Sequence, residues 1–158
     1  MKKFIRKNFI LIIIILIVII VGIAMCIASN KYKRYFIDLY NNNDFHYNLI
    51  TFNSVIAGFL FSGISILVSL IANPSIKRLW DNGYLDGLYH SGEIGILMSV
   101  ISIVMSFMTV LKLFNINSCA EFVRKWTIFE ITFSIGSLSL FLYCVFELMR
   151  SIRILRKK

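Results

Sequence analysis

Four long apolar runs constrain the fold of this 158-residue chain more than any other feature of its sequence. Three of the runs carry no charged residue and the fourth carries Glu130; they occupy residues 9–28, 49–72, 94–111 and 126–146. A helix that crosses the ~30 Å hydrocarbon core of a bilayer needs about 20 mostly apolar residues. The longest link, residues 29–48, is too short for a separate soluble domain. The sequence therefore predicts an all-α integral membrane protein with a single four-helix transmembrane domain.

The composition also favours lipid as the solvent of this chain. Charged residues make up only 16% of it, whereas an ordinary soluble domain has about 25%. The basic start "MKKFIRKNF" is typical of a signal peptide, but the apolar run that follows exceeds the ~7–15 residues of a signal core. We interpret residues 9–28 as a retained anchor, with signal cleavage as the alternative.

The basic residues predict the orientation of the spans. Eleven fall on one side of the predicted membrane: Lys2, Lys3, Arg6, Lys7, Lys77, Arg78, Arg150, Arg153, Arg156, Lys157 and Lys158. Six fall on the other side: Lys31, Lys33, Arg34, Lys112, Arg124 and Lys125. A basic excess marks the cytoplasmic side, so we expect both termini in the cytoplasm. The richness in Ile, Lys and Asn is typical of AT-rich bacterial or phage genomes, which makes the bacterial inner membrane the expected location.

The net charge of +9 therefore reflects topology and contact with anionic lipid. A nucleic-acid-binding surface needs a basic patch interleaved with base-stacking or base-reading groups, and the sequence has no such patch.

Small or hydroxylic residues form helical stripes on three of the four spans. On the third span they recur at heptad spacing, at Gly92, Gly95, Ser99, Ser102, Ser106 and Thr109. On the second span the stripe comprises Ser54, Gly58, Ser62, Ser65, Ser69 and Ala72. On the fourth span one side carries Glu130, Ser134, Ser137 and Cys144. The first span is uniformly aliphatic and predicts a lipid-facing anchor.

Two interpretations fit these stripes. Small side chains let helix backbones approach closely in lipid, and their hydroxyls bond to neighbouring helices, so the stripes predict a helix-packing seam. Alternatively, the hydroxyls line a poorly selective hydrated pore, most easily formed by several copies in a homo-oligomer.

Glu130 is the charged residue of the fourth run and lies about one helical turn from Trp126. A charge near the bilayer centre costs about 2.5–3.5 kcal/mol on insertion scales, and less near the interface. One interpretation is that the carboxylate reaches outward or pairs with Arg124 or Lys125. The other is that it attracts ions or protons at the outer mouth of a path.

The links predict two short interfacial helices. Residues 31–40, "KYKRYFIDLY", place aromatic and apolar side chains on one helical face, and "NNND" then ends the helix. In the second link, Asn73 is a candidate helix cap and Pro74 a favourable first residue. Lys77 and Arg78 point away from the face that carries Ile76, Leu79 and Trp80, and Asn82-Gly83 ends the turn. We call residues 73–84 the elbow and expect it on the inner leaflet, with Trp80 at headgroup depth.

Sequence motifs for catalysis or cofactor binding are absent. The chain has no phosphate-binding glycine loop, nucleophile elbow or metalloprotease motif, so we expect neither an enzyme nor a cofactor. Asp86, His90 and Glu93 share a helical face but form a weak metal signal. Cys26 and Cys119 are predicted near the same face of the membrane, where a disulfide is possible but not indicated by spacing.

The elbow and the spans on either side of it resemble the lambda RexB type of phage-exclusion membrane protein. The matching features are "SGISILVSLIANPSIKRLWDNGY", residues 62–84, followed by "GILMSVISI", residues 95–103. They form a small-residue-rich second span, a basic cluster and a Gly-Tyr pair before the third span. As a layout, the resemblance covers roughly residues 50–150.

This resemblance implies an abortive-infection effector. Such a protein forms an ion channel or lesion when an intracellular sensor detects phage, and the membrane potential then collapses. A second hypothesis is an immunity or accessory protein that conducts nothing and binds a partner membrane protein or toxin. For that role the small-residue stripes would dock the partner.

Overall fold

The protein is helical throughout the residues that its computed structural model describes, which are 9–83, 85–113 and 120–156. Within these ranges the helices are α1 (Phe9–Ser29), α2 (Lys33–Asn41), α3 (Asn43–Leu70), α4 (Pro74–Asp81), α5 (Asp86–Val110) and α6 (Ala120–Arg156). Cys119, the basic residues at positions 2–7, and Lys157 and Lys158 lie outside the described residues.

Four helices are long and apolar enough to cross a membrane, namely α1, α3, α5 and the part of α6 from Glu121 to Arg153. The predicted all-α architecture with four such helices is therefore confirmed. The helices extend beyond the apolar runs and include polar residues at their ends. With 37 residues α6 is about 55 Å long, well beyond the ~30 Å core of a bilayer.

The two short predicted helices are also present. In the first link, α2 ends at Asn41, and the side chain of Asn42 accepts a hydrogen bond from the Phe45 N–H at 3.2 Å, which caps α3. In the second link, α4 begins at Pro74 and is closed by Gly83, whose φ of 67° is the left-handed conformation that glycine adopts without strain. Their position at a membrane interface stays a prediction.

Helices α5 and α6 form the centre of the bundle. They pack along each other, α3 packs on α5 and also touches α6, and both α1 and α2 pack on α6. One end of the bundle, the α2 end, holds α2 with the carboxyl ends of α1 and α5. The opposite end, the α4 end, holds the elbow helix α4.

The elbow helix packs against the protein interior at the α4 end. Ile76 and Trp80 contact an apolar cluster formed by Ile56, Leu60, Leu85, Leu88 and Cys144. The Trp80 ring also meets Tyr89 edge to face, with 5.6 Å between centroids. The elbow is thus attached to the helices that it joins, while the side chains of Lys77 and Arg78 are exposed.

Close packing of α3, α5 and α6 depends on Gly95. A Cβ atom at this position would lie 2.7 Å from the Leu60 Cδ1 atom and 3.3 Å from the Leu140 Cβ atom. Such distances leave no room for a larger side chain, so the three helices meet across the backbone of α5 at this residue.

Replacing Gly95 with valine should destabilise the bundle by about 1–3 kcal/mol, because the side chain overpacks this contact. Denaturant unfolding in detergent micelles, followed by circular dichroism, measures the change. Gly63→Val is the matched control, since a Cβ atom there meets nothing within 4 Å. Equal effects of the two substitutions would contradict the packing described.

Candidate functional site

The third-span stripe lies inside the helix bundle, between α5 and its neighbours α3 and α6. Gly95 is buried, the side chains of Ser99, Ser102 and Ser106 have no exposed surface, and Thr109 is 3% exposed. The fourth-span residues Glu130, Ser134 and Ser137 face this stripe and are also buried. The structure therefore brings the predicted residues of α5 and α6 together.

A group of seven polar side chains, which we call the buried polar cluster, links α3, α5 and α6. Its members are His46 and Asn53 of α3, Ser102 and Ser106 of α5, and Glu130, Ser134 and Ser137 of α6. In an apolar bundle these groups can only be satisfied by one another or by backbone, so their hydrogen bonds fix how the helices face each other.

Glu130 is fully buried and is held by two neighbouring helices. Its Oε1 atom lies 2.8 Å from His46 Nδ1 and accepts a hydrogen bond from the Ser106 hydroxyl. Glu130 therefore pairs with His46, and not with Arg124 or Lys125 as proximity in the sequence suggested. Those two basic residues instead lie beside Glu121, with Lys125 Nζ 2.9 Å from its carboxylate.

The geometry of His46 is that of a hydrogen bond to Glu130. The His46 Nε2 atom lies 3.0 Å from the backbone oxygen of Tyr40, which can only accept, so Nε2 carries a hydrogen. The Nδ1–Oε1 contact then needs one more proton, which belongs either to an imidazolium facing a carboxylate or to a carboxylic acid facing a neutral imidazole. The pair is thus joined by one buried hydrogen bond between α3 and α6.

Tyr40 closes the cluster at the α2 end. Burial is the main cause that raises the pKa of the Tyr40 phenol above its ordinary value, and the negative charge of the Glu130 carboxylate raises it further. The phenol therefore keeps its proton at neutral pH. The Tyr40 hydroxyl and the second carboxylate oxygen of Glu130, Oε2, are both buried and have no hydrogen-bond partner among the described residues. A hydroxyl that can donate and a carboxylate oxygen that can accept therefore lie at the α2 end of the cluster, both without a hydrogen bond to the described residues.

Asn53 organises the middle of the cluster. Its amide nitrogen lies 2.7 Å from Ser134 Oγ and 3.2 Å from Ser102 Oγ, and its amide oxygen accepts from the Ser137 hydroxyl at 2.9 Å. Ser102 and Ser134 also bond to each other at 2.8 Å. One asparagine of α3 thereby connects two helices through three hydroxyls.

The cluster is closed at both ends. Near the α2 end, the Trp126 indole donates to the Thr109 hydroxyl at 3.0 Å. Toward the α4 end, Leu60 and Leu140 meet at Gly95, one turn beyond Ser99. From Thr109 to Ser99 the seam covers about 15 Å, half of a ~30 Å hydrocarbon core. Apolar side chains fill the next layer.

The second-span stripe does not join the cluster. Ser54, Gly58, Ser62, Ser65 and Ser69 are all exposed on the outer face of α3. A Cβ atom at Gly58 would meet nothing within 4 Å. The opposite face of α3 is buried and carries His46, Asn53, Ile56 and Leu60.

Sequence reasoning missed His46 and Asn53. A signal was present, because His46, Asn53 and Leu60 recur at steps of seven and so lie on one face of a helix. The stripe of small residues on the other face of the same helix is the more regular pattern in the sequence.

The remaining candidates are the Asp86, His90 and Glu93 group and the cysteines. His90 Nδ1 lies 3.6 Å from the Glu93 carboxylate, and no group of three metal-ligating side chains occurs in the described part of the chain. Cys26 and Cys144 are free thiols. The predicted partner of Cys26, Cys119, lies outside the described residues.

Comparison with known proteins identifies no relative of this chain. No protein-family model matches the chain, and no curated protein or solved structure is significantly similar to it. The resemblance to the RexB type stays a prediction.

Replacing Asn53 with leucine should lower the free energy of unfolding by about 1–3 kcal/mol, because it leaves buried serine hydroxyls without their partner. Unfolding in micelles measures the effect, and Thr51→Val is the control. Thr51 is exposed, and its hydroxyl bonds to the Tyr47 carbonyl of the same helix. A loss no larger than that of the control would show that the cluster does not hold the helices together.

Proposed function

We propose that this protein is a small, non-catalytic effector of the bacterial inner membrane that works as an oligomer, and that it permeabilises or depolarises that membrane in anti-phage defence by abortive infection. The observation that carries the proposal is the buried polar cluster, with an acid and a histidine 2.8 Å apart inside a bundle of otherwise apolar helices. The defence context rests on the resemblance of residues 62–103 to RexB-type proteins.

The chemistry of the cluster supports passage of protons or small cations. Ionisable residues inside membrane-spanning segments are costly and typically belong to ion or proton pathways. The His46–Glu130 pair is joined by a hydrogen bond, and the hydroxyls of Ser102, Ser106 and Ser134 continue from it toward the bundle centre. Leu60 and Leu140 close this path. Conduction therefore requires α3 to move away from α5 and α6 at Gly95.

The proposed topology gives the trigger a place to act. Both termini and the elbow lie in the cytoplasm, and the α2 end of the cluster lies toward the outer side. The exposed Lys77 and Arg78 face a cytosolic sensor, while Ile76 and Trp80 connect the elbow to the layer that contains Leu60. A sensor that pulls on α4 would thus act on the residues that close the path.

A second candidate function is a non-conducting immunity or accessory protein. The observation that favours it is an exposed stripe of small residues on α3, where a Cβ atom at Gly58 would meet nothing within 4 Å. The stripe comprises Ser54, Gly58, Ser62, Ser65 and Ser69. Small residues at four-residue spacing let a second membrane helix approach closely. The same face could receive another copy of this chain or a partner membrane protein such as a toxin.

The proposal predicts that Glu130→Gln suppresses depolarisation. Cells that express the protein and carry a potential-sensitive dye should depolarise on phage challenge, whereas cells with the variant should hold most of their potential. An amide cannot carry the proton, but it keeps the size of the side chain. Glu93→Gln is the control, because it removes an exposed carboxylate remote from the cluster.

The dye response is read at equal amounts of protein in the membrane fraction. Depolarisation by Glu130→Gln at the wild-type level would contradict a path through the cluster. A wild-type protein that leaves the potential intact and co-purifies with a membrane partner would favour the accessory function instead.

A further inference from the structure

A groove of about 590 Å³ runs between α1 and α6, on the side of α6 that faces away from the buried polar cluster. This volume is within the range of roughly 300–1,000 Å³ that is usual for ligand pockets. The walls are almost entirely apolar along most of its length, and include Val18, Gly22, Ile23, Met98, Ile128 and Phe133. We call it the α1–α6 groove.

The groove has the length of one leaflet of a bilayer. On α1 its lining runs from Val18 to Asn30, which corresponds to about 18 Å of helix. Half of a hydrocarbon core is about 15 Å. The groove is therefore about as long as the half of the hydrocarbon core that one acyl chain of a lipid occupies.

The end of the groove at the α2 end is basic. Arg124 lines it and is 8% exposed, and the Nε atom of its guanidinium is buried without a hydrogen-bond partner in the described part of the chain. Lys125 lies on the same rim with its ammonium group 2.9 Å from Glu121, whose carboxylate is 4.0 Å from the Arg124 guanidinium. Two cations thus face one carboxylate, which leaves a net positive charge.

We propose that the α1–α6 groove binds a phospholipid, with one acyl chain between α1 and α6 and the phosphate on Arg124 and Lys125. The apolar walls select the chain, and the Arg124 guanidinium on the rim selects the phosphate, because Arg forms strong charge-assisted hydrogen bonds with phosphate oxygens. The net positive rim favours an anionic headgroup such as phosphatidylglycerol over a zwitterionic one. This site is separate from the buried polar cluster and does not depend on whether the protein conducts.

The proposal explains why α1 packs loosely against the bundle. Its contacts with the other spans are mainly with α6, and much of its surface that faces the groove is exposed, with Ile23 at 55%. A Cβ atom at Gly22 would meet the Thr132 side chain at 3.0 Å, so α1 does reach α6 there. A bound acyl chain would fill the remaining space between the two helices.

Native mass spectrometry of the full-length protein tests the proposal. The protein is released from micelles that contain dioleoyl phosphatidylglycerol or, separately, dioleoylglycerol, which has the same chains but no phosphate. We expect one firmly retained phosphatidylglycerol and weak retention of dioleoylglycerol. Arg124→Gln should lower retention of phosphatidylglycerol about tenfold, which corresponds to the loss of one charge-assisted contact of ~1.4 kcal/mol.

Three further variants separate binding from folding. Glu121→Gln removes the carboxylate of the rim and should raise retention, an effect that a folding defect does not produce. Ile23→Trp fills the groove from an exposed position and should abolish retention of both lipids. Lys77→Gln, an equal loss of charge at the elbow, should change nothing.

Any one of three results would overturn the proposal. The first is equal retention of phosphatidylglycerol by the wild type, Arg124→Gln and Ile23→Trp. The second is retention of dioleoylglycerol as firm as that of phosphatidylglycerol, which would mean that no phosphate is recognised. Displacement of the lipid by millimolar inorganic phosphate would likewise contradict a site that needs the acyl chain.

Discussion

Burial of the Glu130 carboxyl group is the constraint on which the rest of the bundle depends. An unpartnered carboxylate in an apolar interior costs several kcal/mol, and lipid outside the bundle offers no relief. The Oε1 atom of Glu130 therefore takes its partners from other helices, His46 from α3 and Ser106 from α5. These two contacts set the register of three spans at the α2 end. Asn53, about 10 Å further along α3, sets the same register in the middle of the bundle.

The arrangement of the four spans follows from how much polar chemistry each one carries. Association in lipid relies on close packing and interhelical hydrogen bonds, because apolar side chains gain little by leaving lipid for protein. Helices α3, α5 and α6 carry those groups and meet closely at Gly95, whereas α1 carries none of the cluster and packs beside α6. The uniformly aliphatic sequence of α1 thus leads both to its peripheral position and to the groove beside it.

The sequence predicts the helices of this fold well and the partners within it less well. Long charge-free runs define the spans, Pro74 and Gly83 mark the ends of the elbow helix, and heptad spacing identifies the buried stripe from Gly95 to Thr109. Pairing of His46 with Glu130 joins residues 84 positions apart, which periodicity within one helix cannot show. On α3, the stripe with Gly58 and the face with Asn53 are both plausible as the face that packs against the other helices. Tertiary contacts decide between them, and they bury the face with Asn53.

The most direct test of this account is a double-mutant cycle between His46 and Glu130, built from His46→Leu, Glu130→Leu and the double variant and measured by unfolding in micelles. Each single substitution leaves a buried polar partner unpaired, whereas the double removes both. The account predicts a coupling free energy of about 1 kcal/mol or more, with the double variant less destabilised than the sum of the singles. Additivity within about 0.3–0.5 kcal/mol would contradict the pairing on which the bundle is built.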